Sequence, residues 1–463
     1  MGIFGSVQVI GIICSVVRTK LVAMWIGPVG MGLFALFNAA LEMINTATNL
    51  GMRNSAVPDI SQALNSSRTE VVARIIAVVR RWSVWLGLAG ALLTMALAPQ
   101  LSRWTFETEA YMWHFVAMSA AVLFMALTNG EQAVLQGSEQ LRRLAHAGLW
   151  GTLLGLVVSI PLFYWLRERS IVPSIIAYAA ANALMTYVFR DRTYPKARVS
   201  ARETAATGAG FIRLGMYMTV GAFATFLMNY IFSAWLNTHA DTAQVGYYQA
   251  GNMLINKYTG LVLTALGMEF FPRLARVAQK RSRLRVFVSQ EINVVMMVMT
   301  PVIAGFILLR RLIVWLLYSP DFYVIEEMIT WGMVGMVGRG LSWCMAFVIL
   351  ARGDGRTYVI TETLSAVLGL ALNIVCYLHW GLTGLGIAFA AWYAAYVVIV
   401  AVVYFGRYRL TLSRGSLGSI AMAVVTSLAM MLLMNANQLP IAVVVFVITL
   451  TISSLYLYRS WRR

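Results

Sequence analysis

Asn38, Glu42, Asn45, Asn49 and Arg53 follow one another at steps of 4, 3, 4 and 4 through an otherwise apolar stretch. At 3.6 residues per turn that spacing puts all five on one helical face. Amides, a carboxylate and a guanidinium on one face of a membrane helix line a polar cavity or hydrogen-bond to neighbouring helices. Gln249, Asn252 and Asn256, at steps of 3 and 4 with Lys257 beside them, form a second such face. Arg18 and Lys20 lie in the first apolar stretch and Arg339 in a later one. A cation near the centre of a membrane helix costs roughly 2.5–3.5 kcal/mol on insertion scales, so each needs water, a counter-charge or an anionic ligand. Arg18 and Lys20 are two positions apart, about 200° round a helix, so they cannot both point into one narrow pore. Glu42 is a candidate counter-ion for either. Cations in a cavity call for an anionic substrate, and a lipid diphosphate fits: its head gains from Arg and Lys while its tail stays in the bilayer. Arg18 and Lys257 rank first as cavity cations, Arg53 next and Lys20 after them. Glu362 opens a face with Ser365, Gly369 and Asn373 and, with Glu42, is a candidate for binding a cation or taking a proton.

No catalytic unit accompanies these residues. The sequence holds no GxGxxG between a strand and a helix, no Walker loop and no HExxH. Cys14, Cys344 and Cys376 sit inside apolar segments and the four histidines are scattered, so no disulfide framework or metal site is expected. Arg352-Gly-Asp-Gly-Arg356 reads as a polar turn. The expectation is a transporter without a cofactor and without covalent chemistry, driven by a cation, a proton or the membrane potential.

The elements that position these groups follow from composition. The chain has 463 residues, is 60% hydrophobic and only 12% charged. An ordinary soluble domain is about 25% charged, so the pattern is that of an all-α polytopic membrane protein. Apolar stretches give about fourteen spans of roughly 20 residues each, the first read as a spanning helix rather than a cleaved signal. With the N-terminus inside, the cytoplasmic stretches hold 27 of the 36 Lys and Arg residues. The positive-inside rule therefore places both termini in the cytoplasm. It also accounts for the +18 net charge without nucleic acid; the basic loops face anionic inner-leaflet lipid.

An internal repeat organises the spans. Gly32 and Gly246, Phe34 and Tyr248, Asn38 and Asn252, and Pro58 and Pro272 are each 214 residues apart. Leu50-Gly51-Met52 has a near copy in Leu266-Gly267-Met268. Six spans per repeat make both copies enter the membrane in the same direction, with a pseudo-twofold along the membrane normal. The expected domains are residues 1–195 and 205–405, two six-helix lobes, followed by 410–463, a helix pair with a basic tail.

Arg18-Thr-Lys20-Leu-Val-Ala-Met-Trp-Ile-Gly27-Pro28-Val-Gly30-Met-Gly32-Leu, followed by Gly51-Met-Arg53-Asn54, resembles the bacterial polysaccharide transporter family of the multidrug/oligosaccharidyl-lipid/polysaccharide exporter superfamily. The likeness runs over nearly the whole chain and is nearest to the O-antigen and enterobacterial-common-antigen lipid flippases. It implies inner-to-outer translocation of an undecaprenyl-diphosphate-linked oligosaccharide by alternating access. It implies a cationic cavity lined by Arg18, Arg53 and Lys257, with Lys20 less favoured by its geometry; the polar stripes, with Asn38, Glu42, Asn45, Asn49, Asn252 and Asn256, are by their own spacing the expected contacts for a sugar head. The implied partners are the lipid-linked glycan, membrane lipids, and a polysaccharide polymerase with its chain-length machinery. Many members of that family have twelve spans, whereas the related peptidoglycan-precursor flippases often have fourteen. Three other readings stay open: a peptidoglycan-precursor flippase, a cation-coupled drug or metabolite exporter dependent on Glu42 or Glu362, and a non-transporting scaffold that recruits glycan-assembly enzymes through the basic 273–285 loop. A reporter fused after Arg463 is expected to signal from the cytoplasm; an outside signal overturns the topology.

Overall fold

The computed structural model describes residues 2–65, 68–195 and 197–461. Lys196, Arg462, Arg463 and the side chains of Lys257, Met268, Glu269 and Pro272 lie outside the described residues. Every regular element among the described residues is helical, as hydrocarbon requires of an open chain. Nine stretches of them are long and apolar enough to cross a membrane. Two of these contain a break that turns one stretch into two helices. Leu141–Val188 is interrupted at Arg167 (φ 47°, ψ −124°), and Gly355–Arg407 at Gly381 (φ 57°, ψ −138°). The chain divides into two compact units, Met1–Gly246 and Tyr247–Arg463.

The first unit runs from α1 (Gly2–Trp25) and α2 (Gly27–Asn49) through the short α3 (Met52–Ser55) and α4 (Val57–Asn65) to α5 (Thr69–Phe106). It continues with α6 (Met112–Gly137), α7 (Leu141–Leu166), α8 (Ile171–Val188), α9 (Ala201–His239) and the start of α10 (Thr242–Asn252). Gly27, at φ 79°, ends α1, and Pro28 opens α2 where its missing N–H costs nothing. The core joins Phe37 and Leu41 of α2 to Phe115 and Val122 of α6 and Ile175 of α8. Lipid is as apolar as these side chains, so van der Waals packing rather than escape from water holds them together.

Helices α2 and α10 meet backbone to backbone at their N-terminal turns. A Cβ on Gly32 would strike the carbonyl of Thr242, and a Cβ on Gly246 would strike the carbonyl of Pro28. The four residues form two pairs offset by the same 214 positions that separate the sequence repeats. The two glycines that anchor the repeat in sequence thus make reciprocal close approaches, which any larger residue would prevent.

At one end of the unit, the segment after α8 is strapped across α5. Arg80 makes a bidentate pair with Glu131 (2.6 and 3.0 Å) and donates to the Asp191 carbonyl (3.0 Å). The Asp191 side chain accepts from the Thr193 N–H (2.8 Å) and faces Arg143 at 3.8 Å. Trp82 donates its indole N–H to the Thr204 carbonyl (2.9 Å). These arginines, on α5 and α7, therefore have structural partners within the unit.

The second unit completes α10, widens into a π-helical turn at Met253–Tyr258, and enters α11 (Thr259–Val277). Then come α12 (Arg281–Leu308), the short α13 (Arg310–Leu317), α14 (Glu326–Ala351), α15 (Gly355–Ala401), α16 (Arg414–Asn435) and α17 (Leu439–Trp461). The C-terminal pair is held by a serine row: Ser416 donates to the Ser289 carbonyl (2.9 Å) and Ser419 to the Asn293 carboxamide oxygen (2.7 Å), so α16 lies close on α12. Helix α13 is absent from the sequence expectation, because its eight residues are too few to span.

Burial pushes the Asp191 carboxyl up, but hydrogen bonds from Thr193 and the nearby Arg143 guanidinium outweigh it and hold the group below the usual Asp range. A depressed folded pKa contributes stability above the unfolded value of about 4, lost as pH falls through the folded value. Asp191→Asn is expected to lower the melting temperature of detergent-solubilised protein at neutral pH, by about 1.5–3 kcal/mol of stability. The difference from wild type should shrink as pH drops below about 4. A gap that persists unchanged in acid shows that the charge is not what Asp191 contributes.

Candidate substrate-binding site

A cavity of about 260 Å³ opens within the first unit. Arg18 from α1, Asn38 and Glu42 from α2, and Arg53 from α3 line it, four of the residues singled out by the sequence. Arg18 is held by aromatic faces. Its guanidinium carbon lies 4.8 Å from the centroid of Phe34 and 4.4 Å from that of Tyr178, and one terminal nitrogen reaches the Ser174 carbonyl at 3.5 Å. Two cation–π contacts at about 0.5–2 kcal/mol each offset much of the cost of carrying the charge into the helix bundle. The Arg18 Nε is buried without a hydrogen-bond partner. Glu42 shares the cavity but does not hold Arg18; the expected counter-ion role passes to the two rings and the carbonyl.

Arg53 reaches the site by a different route from the one its spacing suggests. Helix α2 stops at Asn49, Leu50 and Gly51 are both left-handed (φ 47° and 59°), and Arg53 rides on α3 beyond the break. The five-residue face is thus a four-residue face plus an arginine returned to the cavity by a turn. Asn45 and Asn49 do not line the cavity; their carboxamide oxygens are buried without hydrogen-bond partners. Lys20 is half-buried, has a partner of its own, and is not among the lining residues. That agrees with its 200° offset from Arg18.

Sequence reasoning overlooked the opposite wall. Thr128, Asn129 and Gln132 on α6 and Tyr178 and Asn182 on α8 face the same space. A signal was available: polar residues at steps of 3 or 4 interrupt each of these apolar helices. It was fainter than the α2 stripe because no charge belongs to it. Asn38 and Asn182 each donate an N–H to the carbonyl four residues earlier, at 2.7 and 2.8 Å. The site therefore offers two guanidinium groups, four amides and one carboxylate, the donor-rich composition that suits an oxyanion with several acceptor oxygens.

The residues of the second repeat gather elsewhere, inside the second unit. Asn256 donates to Asn252 and accepts from Arg339. Arg339 lines a separate cavity of about 290 Å³ with Glu362, whose carboxylate accepts from the Tyr396 hydroxyl. The π-helical turn at Met253–Tyr258 widens the helix where Asn256 must reach across to α14. Among the described residues no cluster of His, Cys, Asp and Glu could hold a metal ion.

Residues 21–326 match a family described as "Polysaccharide biosynthesis protein". The chain belongs to the polysaccharide biosynthesis protein family. This places it among the polysaccharide and lipid transporters of the multidrug/oligosaccharidyl-lipid/polysaccharide exporter superfamily. The family member is 21% identical over 399 residues to the lipid III flippase of Escherichia coli K12, covering 81% of this chain and 90% of the relative. The Shigella flexneri lipid III flippase matches equally. Its fold is similar to the lipid II flippase MurJ in an inward-closed conformation, with a TM-score of 0.76, 15% identity and all of both chains covered. An inward-facing multidrug-resistance MATE transporter follows at a TM-score of 0.72 and 15% identity, over 86% of this chain and 94% of that one.

A buried guanidinium kept for binding costs stability rather than supplying it. Arg18→Met is therefore expected to leave the melting temperature of the purified family member unchanged or raised, while abolishing binding of inorganic diphosphate in calorimetry. A lower melting temperature with diphosphate binding intact would make Arg18 a purely structural residue.

Proposed function

We propose that this chain flips a polyprenyl-diphosphate-linked glycan across the bacterial inner membrane by alternating access. The carrying observation is Arg18, half-buried against two aromatic rings with its Nε buried and unpartnered, in a cavity shared with Arg53 and a set of amides. Arg18 and Arg53 neutralise the diphosphate, and the amides of Asn38, Asn129 and Asn182 hydrogen-bond the adjoining oxygens. The prenyl tail stays in lipid, and no covalent bond changes. Glu42, beside both arginines in the cavity, is where a coupling proton or cation would act on substrate affinity.

In this reading the chain crosses the membrane about fourteen times. Nine long apolar stretches, two of them broken into helix pairs, support that number together with α1, α9 and the α10–α11 run. Residues 1–195 and 205–405 are the alternating lobes, and 410–463 is the appended pair.

Two cargo classes remain in play. A surface-polysaccharide repeat unit, of O-antigen or common-antigen type, is favoured by the sequence likeness to lipid III flippases. A peptidoglycan precursor is favoured by the structural likeness to a lipid II flippase, which includes the C-terminal helix pair because it spans the whole chain. Mass spectrometry of undecaprenyl-diphosphate glycans, resolved by leaflet in cells depleted of this protein, tests both. Accumulation of one lipid-linked glycan on the inner leaflet, relieved by the wild-type chain and not by Arg18→Ala, is expected and names the cargo. No accumulation in cells without a redundant transporter overturns the flippase reading and leaves an exporter or a scaffold.

A further inference from the structure

The second unit holds a cavity that the diphosphate chemistry does not use. It lies between α14 and the two halves of α15, and its walls are aromatic. Trp343 and Phe347 stand edge to face with centroids 4.7 Å apart on one side, and Tyr358, Tyr393 and Tyr396 form the other. Tyr393 is braced by Phe389 at 4.7 Å and Trp392 at 5.1 Å; the Trp392 indole N–H is tied to Ser365 (2.8 Å). The rings are thus held in place before any ligand arrives.

Two charged groups set the polarity of this space. The Arg339 guanidinium lies 5.7 Å from the Tyr393 ring centroid and spends one nitrogen on Asn256, leaving further N–H groups. Glu362 receives the Tyr396 hydroxyl on one oxygen and keeps a second acceptor. A cavity with one cation, one anion and aromatic walls disfavours a simple ion of either sign. An organic cation would meet Arg339, and a diphosphate would meet Glu362. A neutral, flat molecule with apolar faces and a rim of donors and acceptors satisfies every group, and a pyranose ring is such a molecule. Its axial C–H faces stack on aromatic rings, while its hydroxyls or N-acetyl amide donate to a carboxylate and accept from a guanidinium.

We propose that Trp343, Tyr393, Glu362 and Arg339 form a sugar-binding subsite that reads a pyranose of the glycan head. The inference rests on the flippase reading and deepens it: the proposed cargo carries a carbohydrate, and this cavity has the chemistry to bind one. Glu362 is then a hydroxyl acceptor rather than an ion-coupling group.

The test uses full-length protein in proteoliposomes with two substrates, undecaprenyl diphosphate bearing an N-acetylglucosamine-containing disaccharide and undecaprenyl diphosphate without sugar. Tyr393→Ala and Glu362→Gln are expected to slow flipping of the glycosylated lipid by roughly tenfold or more, the loss of one well-packed ring or hydrogen bond. Neither should change how well the sugarless lipid competes. Tyr393→Phe, which keeps the ring, should behave as wild type and controls for folding. Arg18→Ala should lose both substrates. Saturation-transfer NMR with methyl N-acetyl-β-glucosaminide should show contact with the wild type that Trp343→Ala removes. Equal flipping of the glycosylated lipid by wild type and Tyr393→Ala overturns the subsite while the flippase reading stands. Failure of wild type to flip either lipid overturns both. Displacement of the sugar probe by tetraphenylphosphonium, with affinity lost in Glu362→Gln, reassigns the cavity to organic cations.

Discussion

Hydrocarbon offers no hydrogen bonds, so a chain inside it can interrupt its helices only where another part of the protein covers the break. That constraint governs where this molecule can bend. The Leu50–Gly51 turn, two successive left-handed residues, is covered by Gly215 of α9, whose own backbone lies so close that a Cβ there would strike the Leu50 carbonyl. The covered turn then carries Arg53 back to the cavity. The widened turn at Met253–Tyr258 has the same logic in the second unit: Asn256, within it, is bonded to Asn252 and Arg339. Each interruption of regular structure sits beside a charged residue that needs a polar neighbour.

The same poverty of solvent separates structural arginines from those that can bind. Arg80 has a bidentate carboxylate and a carbonyl, so its charge is neutralised within the protein and a ligand has little to gain from it. Arg18 has two ring faces and one long carbonyl contact. Aromatic faces stabilise a cation without neutralising it. The positive potential therefore survives and acts at short range in a low-dielectric cavity, which favours an anion there. Arg339 stands between these cases, with an amide, a ring and a carboxylate in its cavity. That mixed setting suits hydroxyl recognition better than ion recognition.

Relatives with this fold handle chemically different cargoes, as the names of the similar flippases and the multidrug transporter show. The shared helix arrangement cannot itself distinguish among them, and the residues lining each cavity must. In this chain one unit holds a cavity with two guanidinium groups, and the other holds an aromatic cavity with one cation and one anion.

Much of the molecule was legible in one dimension. Apolar runs, a lopsided distribution of arginine and the polar stripe of α2 give the helical membrane architecture and the first wall of the site. Those signals are local: hydrophobicity is read by the bilayer along the chain, and a stripe needs only its own helix. Gly32 and Gly246 stood out in sequence by their shared spacing, but their packing role was not legible until α2 and α10 were seen to touch at both glycines. Tertiary structure alone decided that Glu42 leaves Arg18 to Phe34 and Tyr178, that Arg53 arrives by a left-handed turn, that Asn129, Gln132 and Asn182 complete the cavity, and that Glu362 faces tyrosines. These outcomes depend on which helix faces meet across long sequence separations. A periodicity names a face but not its neighbour, because packing, not spacing, selects the partner.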